Sequence, residues 1–73
     1  MSLEVVYTKQ VYLGLGNGKT LDVKTLFFKN GAKVHMSTQR SMPWIEFTIS
    51  KAKIFEILEN ANYPEDEIPE YFY

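Results

Sequence analysis

Cysteine is absent from the 73 residues of this chain, and histidine occurs once, as His35. Without cysteine, neither a disulfide framework nor a thiolate metal site can brace so short a domain. A dense hydrophobic core or a partner subunit must supply the stability instead. The composition, 45% hydrophobic and 15% aromatic, favours a dense core and argues against intrinsic disorder.

Long apolar runs are also missing. No stretch approaches the roughly 18–20 residues of a membrane-spanning helix. The first four residues, Met1-Ser2-Leu3-Glu4, lack the charged and apolar regions of a signal peptide. We therefore expect no membrane association and a cytoplasmic location, which also suits the lack of cysteine.

Basic residues do not occur in the last part of the chain. Residues 1–55 contain all eight Lys and Arg with three acids, a net charge of +5, whereas residues 56–73 contain six acids, a net charge of −6. A basic surface attracts phosphates or acidic partners. An acidic segment can shield that surface or bind a second protein. The charge distribution therefore indicates a binding function rather than catalysis.

Alternating apolar and polar residues predict four strands, over 3–13, 20–28, 33–39 and 44–49. Two Asn-Gly pairs, at 17–18 and 30–31, predict the turns between the first three strands. The loop before the fourth strand contains Pro43, which cannot donate to a sheet. The apolar phase slips near Thr25, where we expect either a bulge or burial on both faces.

The apolar period becomes helical after Ser50, the expected N-cap, and Asn60, Asn62 and Pro64 are expected to end the helix. Short links between strands favour an antiparallel meander. We therefore predict an α+β domain over residues 1–63, with a four-stranded antiparallel meander and one C-terminal helix on one sheet face. Residues 64–73 are predicted to form an acidic aromatic tail without regular structure.

The alternation also predicts which strand residues the helix covers. The face under the helix is expected to carry Val5, Val34, Met36, Ile45 and Phe47. The other face is expected to expose Thr8, Gln10, Tyr12, His35, Ser37, Gln39 and Trp44.

Two features invite a catalytic interpretation. The segment Gly14-Leu15-Gly16-Asn17-Gly18-Lys19-Thr20 contains Gly-Lys-Thr, but a phosphate-binding loop needs one more residue after its first glycine and a following helix. We interpret the segment as a hairpin. His35 has Ser37 nearby, but no orienting acid, oxyanion hole or set of metal ligands is evident. We expect no catalytic residue, no metal, no cofactor and no enzyme activity.

The exposed sheet face combines aromatic and basic residues, as single-stranded nucleic acid binding requires. Aromatic rings stack on bases, and basic side chains neutralise phosphates. The candidate nucleic-acid-binding residues are Lys9, Tyr12, Lys24, Lys33, His35, Arg40 and Trp44. The alternative is that Tyr12 and Trp44 belong to a second core layer or a dimer interface.

The tail is a second candidate site, for a protein partner. Its carboxylates can replace phosphates and its aromatic rings can replace bases, so that it mimics a nucleic acid. The candidate partner-binding residues are Glu65, Asp66, Glu67, Ile68, Tyr71, Phe72 and Tyr73. The structural alternative is that Ile68, Tyr71 and Phe72 pack over the helix.

Two resemblances bear on function. Phe28-Lys29-Asn30-Gly31-Ala32-Lys33-Val34, and Phe47-Thr48-Ile49-Ser50 followed by Phe55 and Leu58, resemble the turn, strand and strand-to-helix junction of the positive-cofactor-four-type transcriptional coactivator domain. That resemblance implies a dimer that binds single-stranded DNA across its sheet, near Lys33, His35, Arg40 and Trp44. Glu65-Asp66-Glu67-Ile68-Pro69 is similar to the acidic tip of bacterial single-stranded DNA-binding proteins, which recruits other enzymes.

The leading hypothesis is a small non-enzymatic accessory protein that binds single-stranded DNA or RNA on the exposed sheet face. The alternative is a protein-interaction or inhibitor module that acts through the acidic aromatic tail. Either would form a homodimer, because 73 residues are expected to expose more apolar sheet and helix than one chain can cover.

Overall fold

Four antiparallel strands form one sheet, in the order β1-β2-β3-β4, in the computed structural model, which describes residues 4–39 and 42–73. The strands are β1 (Val5–Gly16), β2 (Lys19–Phe28), β3 (Lys33–Gln39) and β4 (Ile45–Thr48). The helix α1 (Lys51–Asn60) follows them and packs on one face of the sheet. The predicted α+β architecture is therefore confirmed. The predicted strand start at residue 3 lies outside the described residues.

The two Asn-Gly pairs form the predicted turns. Asn17 and Gly18 have φ angles of 54° and 72°, the positive values that a two-residue hairpin turn favours and that these two residue types tolerate. In the second turn, the side-chain oxygen of Asn30 accepts a hydrogen bond of 3.0 Å from the amide of Ala32. The pairing of β1 with β2 and of β2 with β3 therefore follows from local turn chemistry.

Both ends of α1 are capped. The Ser50 hydroxyl accepts a hydrogen bond of 3.1 Å from the amide of Lys53, so Ser50 is the N-cap, as predicted. At the other end, Asn62 adopts a left-handed φ of 55°, and the amide of Tyr63 donates to the carbonyl of Leu58 at 3.0 Å. This pattern, a Schellman motif, ends the helix and turns the chain back along it.

Paired residues of antiparallel strands share a face, so the register shows which side chains lie under α1. The pairs Leu13–Leu21 and Val11–Val23 lie on the covered face, because Leu13, Leu21 and Val23 are buried with Ile54 and Leu58 of the helix. The pairs Tyr12–Asp22 and Gln10–Lys24 lie on the opposite face, as do Thr8 and Leu26. We call this second face the open face.

The predicted face of β3 is wrong. His35 pairs with Thr25 and Ser37 pairs with Val23, so both lie on the covered face and both are buried. The apolar residues Val34 and Met36 of this strand lie on the open face instead, and Val5, paired with Phe28, is also on that face.

Strand β4 agrees with the predicted covered face only in part. Ile45 and Phe47 pair with Gln39 and Ser37, which places them on the helix side of the sheet. Both remain more than 40% exposed, because β4 is an edge strand that the helix does not cover at this end.

Strand β2 contains no bulge near Thr25. Its pairing with β1 and with β3 runs without interruption through this residue. Thr25 is fully buried on the covered face, while Leu26 is half-buried on the open face. The alternative prediction, burial on both faces of this central strand, describes the structure.

Residues 64–73 fold onto the domain rather than lying apart from it. They form two 3-10 helices, Glu65–Glu67 and Glu70–Phe72, which the prediction of irregular structure missed. Pro64 and Pro69 precede them, and their fixed φ angles of −59° and −53° suit the start of such turns. Phe72 is 1% exposed and belongs to the same core as Ile54 and Leu58. We call residues 64–73 the C-terminal segment.

Candidate functional site

Aromatic rings attach the C-terminal segment to the covered face. Tyr71 meets Phe27 edge-on with ring centroids 5.7 Å apart, and Phe27 in turn stacks on Tyr7 at 4.4 Å. Phe72 lies edge-on to His35 at 5.4 Å. Such aromatic pairs stabilise a fold by about 0.5–1.5 kcal/mol beyond the area that they bury. The segment is therefore part of the folded core, with Tyr71 and Phe72 packed against the sheet as well as the helix.

Two lysines of the covered face bind the same segment. Lys33 Nζ donates hydrogen bonds to the main-chain oxygens of Tyr71, at 2.8 Å, and of Tyr73, at 3.1 Å. Lys9 Nζ lies 5.2 Å from the centre of the Tyr71 ring, within the range of a cation–π interaction. Burial raises the pKa of the Tyr71 hydroxyl.

His35 is a buried part of this contact rather than an exposed residue. Its Nδ1 lies 2.8 Å from the hydroxyl oxygen of Thr25, which is itself fully buried. Burial lowers the pKa of His35, and the positive charges of Lys33 and Lys51 lower it further. The imidazole is therefore held in its neutral form between the sheet and Phe72.

The structure does not bring the predicted nucleic-acid-binding residues together. Tyr12 and Lys24 lie on the open face, but Lys9, Lys33 and His35 lie on the covered face against the C-terminal segment. Trp44, just before β4, is 69% exposed. Arg40 lies outside the described residues. The set is thus divided between two sides of the sheet.

The open face is mixed in character rather than basic. Lys24 forms an ion pair of 2.8 Å with Glu46, and Asp22 accepts a hydrogen bond from Gln10. Between the charged residues lies a half-buried apolar group, Leu26, Phe28, Val34 and Met36. This face therefore combines an apolar surface with side chains of both charges.

The predicted partner-binding residues separate into buried and exposed sets. Phe72 is buried, and Ile68 and Tyr71 are half-buried, so these three anchor the C-terminal segment. The three acids Glu65, Asp66 and Glu67 are exposed, and so is Tyr73, at 52%. The prediction that Phe72 imitates an exposed base is therefore wrong, because its ring faces the core.

The exposed carboxylates are more numerous than the predicted set. Glu56 pairs with Lys53 at 3.5 Å, but five further acids form no ion pair with any residue in 4–39 or 42–73. These five are Glu59, Glu65, Asp66, Glu67 and Glu70, all exposed. By contrast, Lys9, Lys24 and Lys33 each have an intramolecular partner. The charge left free toward solvent is therefore predominantly negative at this end of the molecule.

A groove of about 380 Å³ separates α1 from the C-terminal segment. We call it the α1 groove. Its lining residues are Phe55, Leu58, Glu59, Tyr63, Glu65, Ile68 and Tyr73. Sequence analysis did not identify Phe55, Glu59 and Tyr63 as site residues. The available signal was the Asn62-Tyr63-Pro64 sequence, which ends the helix and returns the chain beside it.

Residues 4–39 and 42–73 contain no group of three or more His, Asp or Glu side chains placed to hold a metal ion. Over that range, the structure also has no helix with the length and apolar character to cross a bilayer. No protein-family model, curated protein or solved structure matches the chain.

Proposed function

We propose that the protein is a non-enzymatic protein-interaction module that binds a basic partner through the acidic surface of α1 and the C-terminal segment. The observation that supports this is a difference in intramolecular contacts between the exposed acids and the lysines. Five exposed carboxylates have no ionic partner among the described residues, whereas the lysines expected to bind phosphate are engaged within the molecule. Complementary charge speeds association and selects partners of opposite sign.

The docked segment gives this surface a fixed shape. Phe72 and the two hydrogen bonds from Lys33 hold the chain in place, so the acids of the two 3-10 helices are presented at set positions. A preorganised surface loses less conformational entropy on binding than a free tail would. Carboxylates on a fixed main chain can also occupy a partner site that otherwise binds a polyanion such as a nucleic acid. The protein would then act as an inhibitor by imitating that polyanion.

Two charge-reversal variants test the proposal, one on the acidic surface and one, the control, at lysines elsewhere on the chain. The ligand is a 20-residue peptide in which Lys alternates with Gly and Ser, and binding is measured by calorimetry at 50 mM and 300 mM salt. We expect Asp66→Lys/Glu67→Lys/Glu70→Lys to weaken binding at least about tenfold at the lower salt, because surface charges are less screened there. The control Lys19→Glu/Lys51→Glu should leave binding unchanged or tighten it.

Equal weakening by both variants, or no binding to the wild-type chain, would reject the proposal. A natural partner supports it only if capture of that purified protein is lost with the acidic-surface variant and kept with the control. The two charge-reversal variants must also show wild-type melting curves, so that loss of binding is not loss of fold.

Single-stranded nucleic acid binding is the second candidate. It is favoured by one observation: Trp44 and Tyr12 are 69% and 54% exposed, so both rings are accessible for stacking on bases. If a single strand stacks there, oligothymidylate should quench Trp44 fluorescence, and Trp44→Ala should lose about 1–3 kcal/mol of binding. Unchanged Trp44 emission at saturating oligonucleotide in low salt would remove this candidate.

Other expectations from the sequence stay predictions. These are the single-stranded DNA binding implied by the resemblance to the coactivator domain, the homodimer and the cytoplasmic location. Lys24 and Trp44 remain the residues through which nucleic acid binding is best tested, because neither contributes to the buried core.

A further inference from the structure

The α1 groove differs from the rest of the acidic surface because it combines carboxylates with aromatic rings. Phe55 and Tyr73 contact each other with ring centroids 5.0 Å apart and planes tilted by 49°. Tyr63 lines the same groove, and Leu58, 1% exposed, closes its base. Glu59 comes from the helix and Glu65 from the first 3-10 helix, so carboxylates enter from both sides.

Local backbone structure builds this groove. The Schellman motif places Tyr63 against the last turn of α1, where its amide bonds the carbonyl of Leu58. Pro64 then directs the chain into Glu65–Glu67, whose amides and carbonyls are bonded within the turn. The ordered main chain thus brings Glu65 to the side of the helix that carries Glu59.

We propose that the α1 groove binds an arginine side chain of the basic partner protein. This inference rests on the proposed function and names the group that the acidic surface recognises. Two carboxylates without an ionic partner in the described chain supply the negative charge with which a guanidinium pairs. The aromatic rings match its planar faces, because guanidinium groups stack on aromatic side chains and pair with carboxylates through a fork of N–H donors.

The composition of the groove favours arginine over other occupants. A lysine ammonium is a strongly hydrated point charge that gains less from flat aromatic walls. A neutral apolar side chain would leave Glu59 and Glu65 beside it without compensation. The volume, about 380 Å³, lies within the roughly 300–1,000 Å³ range of ligand clefts and accommodates the arginine stem with a neighbouring residue.

Four matched peptides test which type of side chain the α1 groove binds. Each is a ten-residue, acetylated and amidated Gly/Ser peptide with three copies of one variable residue: arginine, lysine, citrulline or norleucine. Citrulline keeps the shape of arginine without its charge. We expect the arginine peptide to bind most tightly, the lysine peptide severalfold more weakly, and the citrulline and norleucine peptides at least about tenfold more weakly.

Two double variants of the chain test whether the arginine peptide binds in the α1 groove. Glu59→Gln/Glu65→Gln removes two charges inside the groove, and Asp66→Asn/Glu67→Gln removes two charges outside it. The groove variant should weaken arginine-peptide binding at least about tenfold, and the control less than about threefold. In the isotope-labelled wild-type chain, the amide shifts on binding should concentrate at Phe55, Tyr63 and Ile68.

The outcomes separate this inference from the proposed function. If both double variants weaken binding equally, or if lysine binds as well as arginine, the groove proposal is overturned while the acidic-surface function stands. Norleucine binding as tightly as arginine would show an apolar site and overturn it too. If the long basic peptide binds but the arginine peptide does not, only the groove proposal fails. If neither peptide binds, the proposed function itself fails.

Discussion

The hydroxyl oxygen of Thr25 lies 2.8 Å from Nδ1 of His35, in the buried layer between the central strands and Phe72. Two polar side chains thus meet where the strand pattern predicts an exposed histidine. Because each satisfies the other, burying them costs far less than burying an unpaired polar group. Phe72 of the C-terminal segment packs on the His35 ring of this pair.

The His35 pair makes stability depend on pH. Burial and nearby lysines lower the pKa of His35 below its ordinary 6.5, so the unfolded chain binds a proton more readily than the folded one. We expect the free energy of unfolding to be constant between about pH 7 and 8 and to fall as the pH drops below about 6.5. Urea denaturation at pH 7.5, 6.5 and 5.5 measures it. The variant His35→Gln should lose this dependence, and an equal fall in that variant would contradict the assignment.

Phe72 anchors the C-terminal segment in the core. Replacing it with alanine should lower the free energy of unfolding by about 3–5 kcal/mol, because a large buried ring is lost and a cavity remains. Tyr73→Ala, at a half-exposed neighbouring position, should cost less than about 1.5 kcal/mol. Thermal and urea melts of the two variants provide the comparison. Similar small losses in both would mean that the segment is not part of the core.

Lys33 holds the end of the C-terminal segment through hydrogen bonds to Tyr71 and Tyr73. Lys33→Met keeps the aliphatic stem but removes the ammonium, so amide exchange at Phe72 and Tyr73 should become faster. Global stability should change by less than about 1 kcal/mol, because Lys33 is exposed to solvent. Hydrogen exchange followed by NMR measures both effects. Lys19→Met is the control, and an equal acceleration in that variant would refute the specific role of Lys33.

The open face and the β4 edge are expected to join two copies of the chain. Val5 and Tyr12 on the open face, and Ile45 and Phe47 at the β4 edge, are each more than 40% exposed. Sedimentation at micromolar concentration should show about twice the mass of 8.5 kDa. Met36→Glu, on the open face, should convert the dimer to a monomer. A wild-type monomer at 100 μM would disprove the expected dimer.

Local signals predicted most of the fold. The Asn-Gly pairs, the Ser50 cap and the switch from alternation to helical spacing each act through neighbouring residues, so their outcome is readable from short segments. The face of β3 was mispredicted because that depends on distant partners. His35 faces the core, where it contacts Thr25 and Phe72, which lie 10 and 37 residues away in the chain, and Ser37 lies on the same face opposite Val23.

The candidate site was predicted less well than the fold. The charge division between the two parts of the chain correctly indicated an acidic end, and Glu65 was among the predicted residues. Two residues that help to line the groove, Phe55 and Glu59, fit the helix pattern as ordinary helix residues, and Tyr63 follows the end of the helix. Their convergence depends on how the chain reverses at Asn62, which spacing alone does not reveal.

The C-terminal segment contains buried residues that stabilise the fold and exposed acids that do not. This difference affects how the protein can change over evolution. Phe72, with Ile68 and Tyr71, maintains the fold, while Asp66, Glu67 and Glu70 are exposed and form no ion pair with the described residues. Substitutions at Asp66, Glu67 and Glu70 can therefore accumulate with little cost to stability, so selection is free to retune the surface toward a changing partner. We expect variation among descendants of this chain to concentrate at those positions, with the aromatic anchors retained.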